Sequence, residues 1–314
     1  MINRALIRLK VVQLIYAYYQ NEGKTTEVAL KELDFSLQKS YDLYRSLLLL
    51  LVELRRVAER KEGVRAAKSQ RTGVAMAGSD RILAANKFLL QLESNVALAE
   101  FAEKQKNSWA DEDAFIKKLY DAFINDDLFL RYIDNGDYSY EADREIVRKL
   151  YKTYINNNED FDALLEEQSL YWNDDKEIVD SFVLKTIKRF DEAKGEEQEL
   201  LPPYAADEDQ SFAGQLFVET LQRSAEIRQL ISDNTKNWEF SRLAFMDIII
   251  MQIALAEILA FESIPLSVSF NEYLDIAKVY STPRSSSYIH GMLDNIVKKL
   301  QADGMIFKFK KSKQ

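Results

Sequence analysis

Residue types that support catalysis or metal binding are scarce in this chain of 314 residues. It contains no cysteine, which excludes disulfides, thiolate metal sites and cysteine nucleophiles. Its one histidine, His290, excludes a histidine-based metal cluster and is the only residue that a Ser-His-Asp triad could use. A phosphate-binding glycine loop, an HExxH motif and a GxSxG motif are also missing. We therefore predict no catalytic residue, no metal site and no cofactor.

Binding chemistry is better supported, because the basic residues are segregated although the net charge is −9. Three segments are rich in basic residues. The first 20 residues contain Arg4, Arg8 and Lys10 and no acid, and the segment from Arg55 to Arg71 contains seven bases and two acids. The C-terminal segment contains one acid, Asp303, and six lysines: Lys298, Lys299, Lys308, Lys310, Lys311 and Lys313. The excess of acidic over basic residues lies mainly between Glu159 and Asp209. Such a distribution predicts basic faces on an acidic protein, a pattern compatible with nucleic-acid binding.

The elements that must position these residues are predicted to be helices. Only 9 glycines and 4 prolines occur, and 47% of the residues are hydrophobic, which favours an all-α protein with a sizeable core. Residues 4–20 form the first predicted helix. Its core-facing stripe is expected to be Ala5, Leu9, Val12, Tyr16 and Tyr19, so that Arg4, Arg8 and Lys10 point elsewhere.

The most informative stretch runs from residue 238 to residue 296. Leu243–Phe261 is apolar except for Asp247, Gln252 and Glu257, and it predicts a central core helix rather than a membrane span. After the turn at Pro265, one helix is expected from Ser267 and a last one through Ile289. For Asp247 we weigh a partner-facing role against a structural hydrogen bond, and we expect Glu257 to be structural.

The middle of the chain predicts further helices and two irregular segments. One short and one long helix are expected from Thr26 to about Gly63, and one helix from Asp80 to Gln105. Between them, Gly63–Ser79 is expected to be a basic loop, solvated or phosphate-contacting. Similar segments beginning at Phe115 and Ile146 predict two helices with similar packing surfaces, and Lys194–Asp209 is the best candidate for a linker.

The stretch around the core helix resembles the NusB transcription antitermination family. The matching residues are Ala254, Glu257, Ile258, Ile264, Pro265, Val268, Asn271, Glu272, Ala277, Lys278, Gly291, Leu293 and Asp294, and the first helix matches through Val12, Gln13 and Tyr16. The resemblance covers about residues 1–22 and 209–300. It implies an all-α, NusB-like helical bundle formed by residues 1–22 and 209–314, elaborated by a large helical insertion, 23–208, of unknown role.

This resemblance also implies a function. NusB proteins are noncatalytic, cytoplasmic antitermination factors that bind single-stranded boxA-type RNA of ribosomal RNA operons. They act together with a small-subunit ribosomal protein, NusE, in the transcription elongation complex, without a membrane. The implied RNA-binding residues are Arg4, Arg8, Lys10, Tyr16 and Tyr288, and the implied partner-binding residues are Tyr16 and Asp247.

Departures from the family pattern keep other functions open. Ala5 and Leu6 stand where arginines are common, Gln252 replaces a usual arginine and His290 a usual asparagine. The basic segment Arg55–Arg71 and the lysine-rich tail are hypothesised to compensate. The main alternative is a NusB-like protein-interaction module without specific RNA binding. An RNA-modifying enzyme is disfavoured, because no glycine-rich cofactor segment follows the NusB-like part.

Overall fold

The computed structural model describes residues 1–21, 24–72, 78–106, 108–156, 158–172, 174–235 and 243–308. Over these ranges the chain is all-α, as predicted, and the β pairing is limited to one bridge between Ile2 and Tyr204. Within the same ranges, no helix is both long and apolar enough to cross a membrane.

Fifteen α-helices and two short 3₁₀ helices make up the described chain. The α-helices are α1 (Arg4–Gln20), α2 (Thr26–Thr72), α3 (Ser79–Ala84), α4 (Lys87–Ser94), α5 (Val96–Lys104), α6 (Asp113–Ile124), α7 (Asp127–Asn135), α8 (Tyr140–Tyr154), α9 (Glu159–Gln168), α10 (Lys176–Arg189), α11 (Asp207–Gln222), α12 (Ser224–Asn234), α13 (Phe245–Ala260), α14 (Leu266–Tyr280) and α15 (Ser285–Ala302). The 3₁₀ helices are Trp109–Asp111 and Glu192–Glu197.

The chain divides into two compact units. The first unit comprises Met1 and Lys39–Pro203, and the second unit comprises Ile2–Gln38 and Tyr204–Gln314. Helix α2 therefore contributes residues to both. In the sequence the first unit has 25 basic and 33 acidic residues, a net charge of −8, whereas the second has 17 and 18, a net charge of −1. The acidity of the protein thus belongs almost entirely to the first unit.

Helix α13 is the centre of the second unit, as the sequence predicts. Every residue from Asp247 to Ile258 is buried. A helix that is apolar on all sides must be covered on all sides, and α1, α11, α12, α14 and α15 all pack against it.

In the first unit the two similar segments form α6 and α8, and the predicted similarity of their packing is confirmed. Tyr120 of α6 and Tyr151 of α8 occupy equivalent positions and are both fully buried. The Tyr120 hydroxyl donates a hydrogen bond to Asp80, and the Tyr151 hydroxyl donates one to Asp180 at 2.5 Å. Each tyrosine thus satisfies its polar end on a buried carboxylate, as burial requires.

Helix boundaries differ from the prediction at α2. A break near Gly63 was expected, but α2 continues to Thr72, so the predictions of two helices here and of a loop over 63–72 are wrong. The residues around Gly63 are good helix formers, and one glycine weakens a helix without necessarily ending it. Residues 73–77 of the expected loop lie outside the described residues.

Between Asp80 and Gln105 the single predicted helix is also wrong, because asparagines divide this region into α3, α4 and α5. Asn86 accepts a hydrogen bond from the Leu89 N–H at 3.0 Å, and Asn95 accepts one from the Leu98 N–H at 3.2 Å. A side-chain oxygen that caps free N–H groups favours a new helix start at that position.

Candidate nucleic-acid interface

Arg8 lies at the centre of a buried polar cluster in the second unit. Its Nε and Nη2 donate to the two carboxylate oxygens of Glu257 at 2.7 and 3.0 Å. Glu257 also accepts hydrogen bonds from Ser269 at 2.7 Å and Tyr273 at 3.0 Å. Burial by itself lowers the pKa of Arg8, but the hydrogen bonds and charge of Glu257 outweigh it, so the pKa is raised. The cluster ties α1 to α13 and α14.

The predicted orientation of α1 is therefore wrong in part. Arg8 and Lys10 were expected to point away from the core, but they are only 2% and 1% exposed, while Tyr16 of the expected core stripe is 38% exposed. Helix α1 packs against α11, α13 and α14 together, so a single stripe is too narrow to describe its buried face. In this geometry Arg8 and Lys10 present no open face to an RNA phosphate.

Arg4 is the accessible cation at this end of α1. Its side chain is 37% exposed, and its Nε lies 3.1 Å from an Asp209 carboxylate oxygen. The guanidinium carbon also lies 4.9 Å from the centre of the Phe212 ring, which places the cation over an aromatic face. Arg4 therefore combines a fixed position with an open side.

Tyr16 presents its ring at the opposite end of α1. The centre of this ring lies 5.7 Å from that of Phe245, at the start of α13. Tyr19 approaches the same Phe245 ring at 6.2 Å, and Tyr18 approaches Tyr19 at 5.7 Å. Four aromatic rings thus adjoin one another where α1 ends and α13 begins.

Asp247 lies at the same end of α13 but is 5% exposed. Its carboxylate accepts hydrogen bonds from Ser281 and, at 2.8 Å, from Ser285. It therefore fixes the turn between α14 and α15. Of the two roles considered for Asp247, a partner contact and a structural hydrogen bond, the geometry shows the second. A partner-facing role for Asp247 is then indirect, through the exposed residues of that turn.

Tyr288 lies one turn into α15, and it is close enough to Asp247 for the two side chains to interact electrostatically. Burial, and after it the negative charge of Asp247, raise the pKa of Tyr288. The hydroxyl is buried without a hydrogen-bond partner among the described residues. The geometry thus groups Tyr16, Asp247 and Tyr288 at the start of α13. Arg4 and Arg8 lie near Glu257, about 15 Å along that helix.

Gln252 and Arg228, which the sequence analysis did not assign to the site, adjoin the aromatic rings. Gln252 donates hydrogen bonds to the Tyr19 hydroxyl at 2.8 Å and to the Thr220 carbonyl at 2.9 Å. It accepts one from Arg228 Nε at 3.2 Å, and the Arg228 guanidinium lies 4.5 Å from the Tyr19 ring centre. Gln252 was conspicuous as an amide in an apolar helix, but nothing in the pattern of α12 distinguishes Arg228.

The hypothesised compensation by Arg55–Arg71 receives no support from the geometry. Most of these bases pair with carboxylates of the first unit: Arg55 with Glu59 and Glu93, Arg56 with Glu93, Arg60 with Glu53, Lys61 with Asp121 and Arg65 with Asp80. Lys310, Lys311 and Lys313 of the tail lie outside the described residues. The exposed His290 lies in a T-shaped arrangement with Phe270, their ring centres 5.8 Å apart.

Comparison with known proteins identifies the family of the chain. The model of the NusB family matches residues 181–298, which include α11 to α14 and most of α15. The transcription antitermination protein NusB of Salinibacter ruber is 36% identical over 132 residues, which is 40% of this chain and 82% of that protein. The chain belongs to the NusB family. Its relatives carry the name of transcription antitermination proteins, which is the role of the NusB family.

Other NusB proteins are matched over smaller shares. The protein of Chloroherpeton thalassium is 38% identical over 88 residues, 28% of this chain and 42% of that protein. The protein of Finegoldia magna is 36% identical over 91 residues, 29% of this chain and 66% of that protein. No solved structure matches. The chain is thus similar to these NusB proteins in its matched part, and it is much longer than the region shared with them.

Proposed function

We propose that this NusB-family chain is an antitermination factor that binds boxA-type RNA of ribosomal RNA operons together with the small-subunit ribosomal protein NusE in the elongation complex. The observation that carries the proposal is the exposed Tyr16 ring, which is braced against Phe245 beside Tyr18 and Tyr19 in the family-related unit. Single-stranded RNA is held by stacking of bases on such rings and by cations along its phosphates.

The proposed RNA-binding cation and the proposed NusE contact lie at different places in the second unit. Arg4, held over Phe212, contacts the RNA backbone at the far end of α1. Tyr288 contributes beside the aromatic rings. Asp247 serves the NusE contact indirectly, by holding the turn Ser281–Ser285 in shape. Arg8 supports Arg4 from within the core and does not itself contact RNA.

We further propose that residues 1–22 and 209–314 are the RNA- and partner-binding part, and that residues 23–208 are an addition to it. The family model matches residues 181–298 and begins inside α10, so residues 181–208 of the proposed addition lie within the match. We also propose that the chain acts by binding and not by catalysis.

The proposal predicts that Tyr16→Ala weakens binding of a boxA-type RNA oligonucleotide, whereas Tyr16→Phe preserves it. Loss of one stacked base costs about 1–3 kcal/mol, or roughly five- to 150-fold in affinity. Filter binding with boxA and shuffled RNA, each with and without NusE, measures this effect. Tyr138→Ala is the matched control, because Tyr138 is also 38% exposed but belongs to the first unit.

Two outcomes would contradict the proposal. Wild-type affinity in Tyr16→Ala would remove Tyr16 from the RNA site. Equal affinity for boxA and shuffled RNA would favour the second candidate, a NusB-like protein-interaction module without specific RNA binding. The net charge of −8 on the first unit and the pairing of its bases with acids favour that candidate, because both disfavour a polyanion.

A further inference from the structure

Arg228 differs from the other arginines packed into the second unit. Arg4 pairs with Asp209, Arg8 with Glu257 and Arg223 with Glu219. Arg228 is half-buried, yet no carboxylate pairs with it among the described residues. A cation withdrawn from water is normally paired with an acid, because its desolvation is costly. The absence of a paired carboxylate at Arg228 therefore needs another explanation.

The guanidinium group of Arg228 is held in one orientation. One face lies against the Tyr19 ring, and Nε donates to the side-chain Oε1 of Gln252. Gln252 cannot turn away, since its amide nitrogen donates to both Tyr19 and Thr220. Tyr19 and Gln252 thus fix the plane of a cation that they do not neutralise, and preorganisation of this kind lowers the cost of binding a ligand.

Hydrogen-bonding capacity remains on the same group. Nη2 of Arg228 is buried and has no acceptor among the described residues. A buried donor without an acceptor is destabilising, so the second unit does not satisfy this cation from within. The exposed part of the half-buried guanidinium group is where an anionic oxygen of a ligand can bind. The planar guanidinium group can donate two parallel hydrogen bonds, which suits a phosphate or a carboxylate.

The neighbouring rings favour phosphate over carboxylate. Tyr19 touches Tyr18 and Phe245, and Phe245 touches the exposed Tyr16. A fixed cation at the edge of adjoining aromatic rings is the combination that holds a backbone phosphate while the bases stack. We propose that Arg228 binds a phosphate of single-stranded RNA whose bases lie on the Tyr16 side of these rings. This inference rests on the proposed function and adds a cation that the sequence comparison did not assign.

The test compares Arg228→Gln and Arg228→Lys with wild-type protein in filter binding of a boxA-type RNA oligonucleotide at several salt concentrations. Arg228→Gln is expected to lower affinity about tenfold, and to reduce the slope of log K against log salt by about 0.7, the value for one phosphate of a single strand. Arg228→Lys keeps the charge and hence the slope, but it loses the planar contact and binds more weakly than wild type.

Arg223→Gln is the matched control, because Arg223 precedes α12 and is paired with Glu219 and Glu226. It is expected to leave both affinity and slope unchanged. Melting temperatures of all variants separate a binding defect from a folding defect.

The results distinguish this inference from the proposed function. If wild-type protein does not discriminate boxA from shuffled RNA, the proposed function fails, and the inference fails with it. If wild type discriminates but Arg228→Gln keeps its affinity and slope, only the inference is overturned. Weaker binding with an unchanged slope and a lower melting temperature would assign Arg228 a structural role. Loss of NusE binding with unchanged RNA binding would assign it to a protein carboxylate.

Discussion

At the scale of single residues, the pairing of Arg8 with Glu257 determines how α1 is used. Both residues were identified from the sequence, one as an RNA contact and one as structural. Their pairing across 249 residues of sequence was not foreseen, because helical periodicity reports which side chains share a face and not which charge lies opposite. The result is that a basic residue near the start of the chain belongs to the core.

We expect Arg8→Ala to lower the free energy of unfolding by about 3–5 kcal/mol, because it leaves the carboxylate of Glu257 buried without its cation. Urea unfolding followed by circular dichroism measures the loss. Arg4→Ala is the control and is expected to cost about 1 kcal/mol or less, since Arg4 is 37% exposed.

A combined Arg8→Met and Glu257→Leu variant should recover much of the stability lost in Arg8→Ala, because buried ion pairs are often replaceable by apolar side chains. If Arg8→Ala proves as stable as Arg4→Ala, the buried pair does not exist in solution. A double substitution of Arg4 and Arg8 is accordingly a poor probe of RNA binding, because its effect would combine lost contacts with lost stability.

At the scale of helices, asparagine caps set boundaries that the sequence analysis missed, and a glycine does not always end a helix. Asn86 and Asn95 end the expected single helix, whereas Gly63 does not end α2. A Cβ atom placed on Gly63 would meet nothing within 4 Å, so the residue has no steric reason to be glycine. Gly136, by contrast, ends α7 with φ of +67°, a conformation that favours glycine.

We therefore expect Gly63→Ala to raise the free energy of unfolding by about 0.4–1 kcal/mol, through lower entropy of the unfolded chain and higher helix propensity. Gly136→Ala, the contrasting variant, should lower it by about 1 kcal/mol. Thermal unfolding of both variants is the measurement. Destabilisation by Gly63→Ala would show that α2 is broken at this point.

At the scale of the whole molecule, the change of stability with pH depends on carboxylates whose pKa values are shifted by folding in opposite directions. Hydrogen bonds from Arg148 lower the pKa of Glu145, and hydrogen bonds from Ser139 lower that of Asp137, so their contributions to stability disappear as the pH falls. Asp143 is different. Burial raises its pKa, although the Tyr132 hydroxyl and the Lys87 N–H both donate to its carboxylate.

For Asp143 the folded-state pKa exceeds the unfolded value of about 3.9, so the folded state binds the proton more tightly. Its contribution to stability is fully present below pH of about 3.9 and is lost as the pH rises through the folded-state pKa. We expect the difference in unfolding free energy, wild type minus Asp143→Asn, to decrease between pH 3 and 7. A difference that increases with pH would contradict the raised pKa.

The sequence predicted more of the fold than of the candidate site. The all-α class, the first helix and the core helix α13 followed directly from composition and apolar runs. The site did not, because it depends on contacts between residues far apart in the sequence. Tyr16 was expected both in the core-facing stripe of α1 and among the RNA-binding residues, and Arg228 was not considered. The significance of Arg228 lies in having no carboxylate paired with it among the described residues, which only its three-dimensional neighbours reveal.

The distance in sequence between α1 and α13 also has a consequence for synthesis. A ribosome adds about 5–20 residues per second, so the 249 residues between Arg8 and Glu257 take roughly 12–50 seconds. During this interval α1 lacks the helix that buries its aliphatic side chains. Lys39–Pro203 is complete in the nascent chain before α13 exists. We therefore expect the intervening unit to fold first, and the NusB-related unit to assemble only after a long delay in which α1 is open to chaperones.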